Sequence, residues 1–213
     1  FEHDVSVELA EIVGAIVRAH KADFLPIFET YLDFIFSLAS ETSPAHDKQL
    51  SICIFDDVCD HLGSDAHHLY DRVVPLMLHY IFDESAEVRQ ACAYGLGVCG
   101  QRGGDHFTKY VQEAVEALGN FMSQPGARDD PHMSKPTENA VCAFGKIVFY
   151  HGYRQEEYIP YFLSQLPLTH DLVEAPKANK LLIEIVSSNN PYLWGNNFEN
   201  MPHIFQVFGH AIS

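Results

Sequence analysis

The sequence predicts an all-α fold, an α-α superhelix of stacked two-helix units, and three observations predict it. The first is an apolar-apolar-Pro-apolar-apolar core that recurs at Phe24 to Phe28, Val73 to Met77, Tyr158 to Phe162 and, more weakly, Asn200 to Ile204. Its prolines, Pro26, Pro75, Pro160 and Pro202, lie 49, 85 and 42 residues apart, and the 85 holds two units if Tyr110 marks a copy without proline. The second is an independent repeat at an offset of 50, where Ala91-Cys92-Ala93-Tyr94-Gly95 matches Val141-Cys142-Ala143-Phe144-Gly145. The third is helical apolar spacing between these markers, with no alternation of the strand type.

Taken in order, the pattern predicts ten helices, in four complete pairs with a half-repeat at each end. The first, over 5–20, is the second helix of an interrupted pair. The second, 23–40, carries Pro26 in its opening turn and stops at the turn formers Ser40 to Pro44. Helix 45–62 lines up Ile52, Phe55, Cys59 and Leu62 on one face and ends at Gly63 to Asp65. Pro75 marks the start or a kink of 67–82, since an interior proline removes a hydrogen bond and crowds the preceding turn. Helix 85–101 stops at Gly103-Gly104, and 106–123 shows one face in Val111, Val115, Leu118 and Met122 before the break at Pro125 to Pro131. Helix 135–150 ends at Gly152, 156–166 carries Pro160, and 171–188 ends at Asn189 to Pro191. The last, 199–212, is the first helix of another pair. The units are 1–22, 23–66, 67–105, 106–155, 156–198 and 199–213, one array in which each pair buries its apolar face only against its neighbours.

Composition narrows the function. Of 213 residues 47% are hydrophobic, enough for a large core, and 29 acidic against 13 basic side chains give a net charge of -16. That charge opposes nucleic-acid phosphates and anionic membranes and favours basic partners. The acidity is concentrated early: residues 1–66 carry 13 acidic and 3 basic side chains. Cys53, Cys59, Cys92, Cys99 and Cys142 sit in apolar helical patterns without a Cys-x-x-Cys pair, which reads as reduced core thiols of a cytosolic or nuclear protein. No apolar run approaches the roughly 20 residues of a membrane span. The chain opens on Phe1-Glu2-His3-Asp4 without an initiator Met or a signal-like segment, so a fragment of a longer protein is expected.

The stretch Asp83-Glu84-Ser85-Ala86-Glu87-Val88-Arg89 resembles the signature of HEAT repeats. An acidic residue at the end of the first helix and an Arg six positions later can pair between repeats or satisfy open turn groups, so Asp83 and Arg89 are the expected repeat ladder. The search for chemistry finds little. The 13 histidines include no His-Glu dipeptide, the ligand pair of the HEAT-repeat di-iron hydroxylases. His67 and Asp71 share a helix face and offer two metal ligands without a third. Gly95, Gly97, Gly100, Gly103 and Gly104 do not follow a strand, as a phosphate loop does, and fit close helix approach instead. No catalytic residue, metal or cofactor is expected. Asp56, Asp57 and Asp60 share one helix, and the repulsion of Asp56 and Asp60 at a four-residue spacing would be relieved by a Lys/Arg-rich partner.

From Val74 to Phe205 the chain resembles the C-terminal part of the importin-β superfamily, and within it the importin beta-3 (karyopherin beta-3) type of nuclear import receptor. The words that carry the likeness are Val74-Pro75-Leu76-Met77-Leu78, Glu87-Val88-Arg89-Gln90-Ala91, Tyr94-Gly95-Leu96-Gly97-Val98-Cys99 and Gly103-Gly104-Asp105. They continue in Thr137-Glu138-Asn139, Gly145-Lys146-Ile147, Leu166-Pro167-Leu168, Ser188-Asn189-Asn190-Pro191 and Asn200-Met201-Pro202-His203-Ile204-Phe205. Residues 1–66 match in helical pattern and acidity alone.

The resemblance implies a non-enzymatic receptor that wraps basic cargo such as ribosomal proteins or histones and contacts nucleoporin Phe-Gly repeats at the nuclear pore. It implies movement between cytoplasm and nucleus and cargo release to Ran-GTP, with Ran bound mainly through N-terminal repeats outside this chain. Asp56, Asp57, Asp60, Glu87, Glu138, Asn139 and Glu184, polar residues of second helices, are the expected cargo-facing positions. A HEAT-repeat scaffold for a multi-subunit complex is the competing expectation.

Overall fold

The computed structural model describes residues 2–212, with side chains described from Val5 to Ala211. Phe1 and Ser213, the outermost residues of the expected half-repeats 1–22 and 199–213, lie outside the described residues. Every regular element among the described residues is helical.

Helix α1 spans Glu2–His20. The expected helix 23–40 is divided into α2 (Leu25–Thr30) and α3 (Leu32–Leu38) at Tyr31, where φ is -104° and ψ is 1°. No Pro or Gly sits there. The Thr30 hydroxyl donates back to the Ile27 carbonyl at 2.7 Å, a bond that competes with the helix ladder and loosens it one residue before the break. Pro26 lies in the first turn of α2, where an N–H would have had no helical acceptor.

Helix α4 (Ala45–Leu62) runs into a 3-10 stretch, Gly63–Leu69, and α5 (Tyr70–Tyr80) takes Pro75 into its interior. Helix α6 (Ala86–Arg102) is capped by Ser85, whose side chain accepts the Val88 N–H. Helix α7 (Val111–Met122) follows two short 3-10 turns, and α8 (Ser134–His151) ends on Gly152 in the left-handed region, the usual helix stop. Helices α9 (Gln155–Ser164), α10 (Ala175–Ser187) and α11 (Met201–Ile212) complete the chain. Helix α10 starts four residues later than the sequence predicts. Asp171 turns the chain instead, its Oδ1 accepting the N–H groups of Val173 and Glu174.

The helices form two layers. In one, α1, α4, α6, α8 and α10 stack in sequence, and α3, α5, α7 and α9 pack on that row from the other side. Helix α6 lies between α4 and α8 and is buried on nearly every face from Val88 to Gly100. A Cβ at Gly97 would lie 2.9 Å from the Ala143 Cα, so the missing side chain is what lets α6 and α8 meet this closely. The outer row is laced by charges at a constant offset: Glu29 to His68 at 2.9 Å, Asp33 to Arg72 at 3.0 Å and Asp71 to Lys109 at 2.6 Å, with separations of 39, 39 and 38 residues. Such exposed pairs are screened by solvent and add little, so the apolar stack carries the stability and the pairs set register.

Candidate protein-binding surface on the second helices

The second helices line a run of adjoining clefts whose surface is not uniformly acidic. At the α1–α4 end an open cleft of ≈ 270 Å³ has Val7, Ala10 and Leu50 as its apolar wall and Glu11, Asp56 and Asp57 as its acids. Asp56 is 4% exposed and its Oδ1 has no hydrogen-bond partner among the described residues. It fits only because α6 has a glycine opposite: a Cβ at Gly95 would stand 2.0 Å from that oxygen. Burial pushes the Asp56 carboxyl well above the ordinary carboxylate range, Cys59, Asp57 and Asp60 add to the rise, and Lys177 opposes it. Asp57 is half-buried. Burial raises it too, against the pull of Arg18 and His61, each 3.6 Å away.

The other expected residues divide. Asp60 is paired with Arg102 at 2.9 Å across to α6. Glu87 is exposed at the start of α6 and accepts the Ser85 hydroxyl. Glu184 on α10 accepts the Tyr150 hydroxyl from α8, and Tyr150 in turn accepts from Gln101 of α6. Glu138 and Asn139 correct the expectation that both face outward. Glu138 is 0% exposed and accepts the backbone N–H groups of Thr169, His170 and Asp171 at 2.7, 2.9 and 2.6 Å, with Arg128 and His170 beside it. Asn139 donates to Asp171 Oδ2 at 2.8 Å, and Gln90 of α6 donates to the same oxygen at 3.0 Å. These groups clamp the loop before α10 onto α6 and α8; the clamp consumes the Glu138 carboxylate, while Asn139, bound through Nδ2, also lines the open cleft it shares with Asp56 and Glu87.

Asp83 and Arg89 likewise do not bond to each other's side chains. Arg89 donates to the carbonyls of Asp83, Glu84 and, one repeat on, His132, each at 2.8 Å. Asp83 pairs with Lys48 of the preceding repeat at 3.0 Å and caps Ser85 with its other oxygen. Each residue thus ties its own turn to a different neighbouring repeat.

Sequence reasoning missed the basic part of the surface. Arg102, Lys146, Lys177 and Lys180 gather in a cleft of ≈ 180 Å³ between α6, α8 and α10. The two lysines Lys146 and Lys177 flank the Tyr94 ring, at 5.8 and 4.3 Å from its centre. These residues come from three repeats, and a net charge of -16 averages them away. The signal available was Lys177 and Lys180, one turn apart on a second helix.

His67 and Asp71, the two-ligand edge, are engaged elsewhere: His67 bonds the Arg102 carbonyl and stacks on His106, while Asp71 holds Lys109 and Tyr110. No group of three or more His, Cys, Asp or Glu among the described residues is placed to hold a metal. All five cysteines are free, four of them buried. No described helix is long and apolar enough to cross a membrane.

Comparison with known proteins places this architecture. The HEAT repeat family matches residues 73–103, most of α5 and all of α6. A probable importin-5 homolog of Dictyostelium discoideum is 27% identical over 121 residues, 56% of this chain and 11% of that protein. Importin-4 of Mus musculus is 25% identical over 108 residues, 49% of this chain and 10% of that protein. Both relatives are importins, and the chain is similar to each over about half of its own length. It spans about a tenth of the length of these relatives. Among solved structures, the karyopherin Kap121p bound to the SUMO protease Ulp1p superposes with a TM-score of 0.81 at 18% identity, over 98% of this chain and 20% of that one. Kap121p bound to RanGTP gives 0.76 at 17% identity, over 97% and 21%. The karyopherin fold therefore extends across nearly the whole array, including residues 1–66, where the sequence likeness was weakest.

Proposed function

We propose that this chain is a segment of a nuclear transport receptor of the importin beta-3 type, acting by binding and not by catalysis. It contributes an acidic docking point for basic cargo such as ribosomal proteins or histones. Its relatives are importins, and the structures it resembles were solved with RanGTP and with Ulp1p, which supports a receptor that exchanges protein cargo against Ran between cytoplasm and nucleus. Contact with nucleoporin Phe-Gly repeats and a Ran site outside this chain belong to the same reading.

The observation that carries it is Asp56. A buried carboxyl oxygen without a partner is costly, and it lies at a cleft whose apolar wall suits the methylene stem of a lysine. A lysine ammonium from a cargo segment would meet Asp56, with Asp57 and Glu11 beside it, and desolvated charge pairing of this kind strengthens binding. Glu87 lines an open cleft together with Asp56, whereas Glu184 stands in the neighbouring cleft between α6, α8 and α10.

The test is fluorescence anisotropy of a dye-labelled Lys-rich peptide. Binding at micromolar or tighter Kd should weaken sharply with added salt, and the triple change Asp56→Asn, Asp57→Asn, Asp60→Asn should weaken it at least about tenfold. Salt-insensitive binding, or a triple variant that binds as well as the parent, would instead favour the scaffold, in which the acids serve solubility alone.

A further inference from the structure

The cleft between α6, α8 and α10 is opposite in charge to the cleft beside it. Lys146 is 7% exposed, lines this cleft, and has no ion-pair partner among the described residues. Its stem is buried while its ammonium opens on the cleft without an anion of the described residues bound to it, which leaves the charge for an incoming counter-charge. Its one described partner is the face of Tyr94. Lys180 stands exposed at the same cleft, also without an ion pair among the described residues. The other two cations are already held, Lys177 by Glu174 at 2.8 Å and Arg102 by Asp60 at 2.9 Å. Two positive groups therefore remain for an incoming anion, with Tyr94 shared between this cleft and the one at Asp56.

We propose that this cleft is a second binding site, for a carboxylate-bearing segment of a protein partner, seating an Asp or Glu side chain between Lys146 and Lys180. The size of the cleft, ≈ 180 Å³, suits a single side chain. The surroundings select against a polyanion: Asp60 and Glu184 line the same cleft, and a nucleic acid would bring many phosphates against a chain of net charge -16. A partner segment that puts a lysine at Asp56 and an acidic residue at Lys146 would be read in one orientation only, because reversing it sets like charges together.

The test uses the full chain at low salt and a short dye-labelled peptide with two glutamates in a Gly/Ser background, followed by anisotropy. Saturable binding is expected. Lys146→Met and Lys180→Gln should each weaken it about tenfold, while Glu184→Gln, which keeps an acceptor for Tyr150 and removes a like charge, should strengthen it about twofold to threefold. Asp56→Asn should leave it unchanged, which separates this site from the lysine-binding one. Lys180 is exposed, so its variant folds whether or not Lys146→Met does, and circular dichroism checks both. Absence of saturable binding, binding indifferent to Lys180→Gln, or displacement of the peptide by an equal concentration of oligothymidylate would overturn the proposal.

Discussion

Two carboxylates on second helices, Glu138 of α8 and Asp56 of α4, are withdrawn from water to nearly the same degree, at 0% and 4% exposure. Their surroundings are opposite. Glu138 accepts three backbone N–H groups and has Arg128 and His170 beside it, whereas Asp56 Oδ1 accepts nothing among the described residues. Burial alone therefore does not distinguish a carboxylate that builds the fold from one kept for a partner. The deciding quantity is how many donors the protein itself supplies.

That contrast breaks most visibly at Glu138. Glu138→Ala should cost about 3–5 kcal/mol, because it orphans three loop donors and leaves Arg128 facing an apolar gap. Urea denaturation measures the loss, and hydrogen exchange should show the amides of Thr169, His170 and Asp171 losing protection first.

Asp56→Asn should act in the other direction and with pH. The folded carboxyl holds its proton above the unfolded value of 3.8, so the wild-type fold is favoured below that pH and loses stability as pH rises toward the folded value. The asparagine variant lacks this loss. At pH 7 it should be more stable than the parent by about 1–2 kcal/mol, with the advantage gone below pH 3.8, as read from thermal melts across pH. Asp57→Asn should matter least, by less than about 1 kcal/mol once solvent screening is counted, because Arg18 and His61 offset the burial of a half-exposed group. Equal responses of Asp56 and Asp57 would remove the distinction drawn between them.

The repeat was legible because its signals are local. Prolines in the first helices, glycines at the stops and apolar faces at helical spacing lie within one unit, and they located all ten rods, with α2 and α3 as one broken rod. Two features were not legible for the same reason. The clamp on Glu138 depends on backbone 31 to 33 residues away, and a glutamate on a second helix looks the same in sequence whether it faces solvent or a loop. The basic cleft is assembled from three units whose lysines are unremarkable one at a time. Asp56 was singled out by its repulsion with Asp60, but its isolation follows from Gly95, a residue on the next repeat, and Asp60 escapes the same fate by reaching Arg102.

Carbon-13 detection of the side-chain carboxyls, titrated with pH in the presence and absence of a Lys-rich peptide, tests the account at its centre. The Asp56 carboxyl should titrate above the usual carboxylate range in the free chain and shift downward when the peptide binds, while the Glu138 resonance stays where it was. An Asp56 signal indifferent to the peptide, or a Glu138 signal that moves in its place, would contradict it.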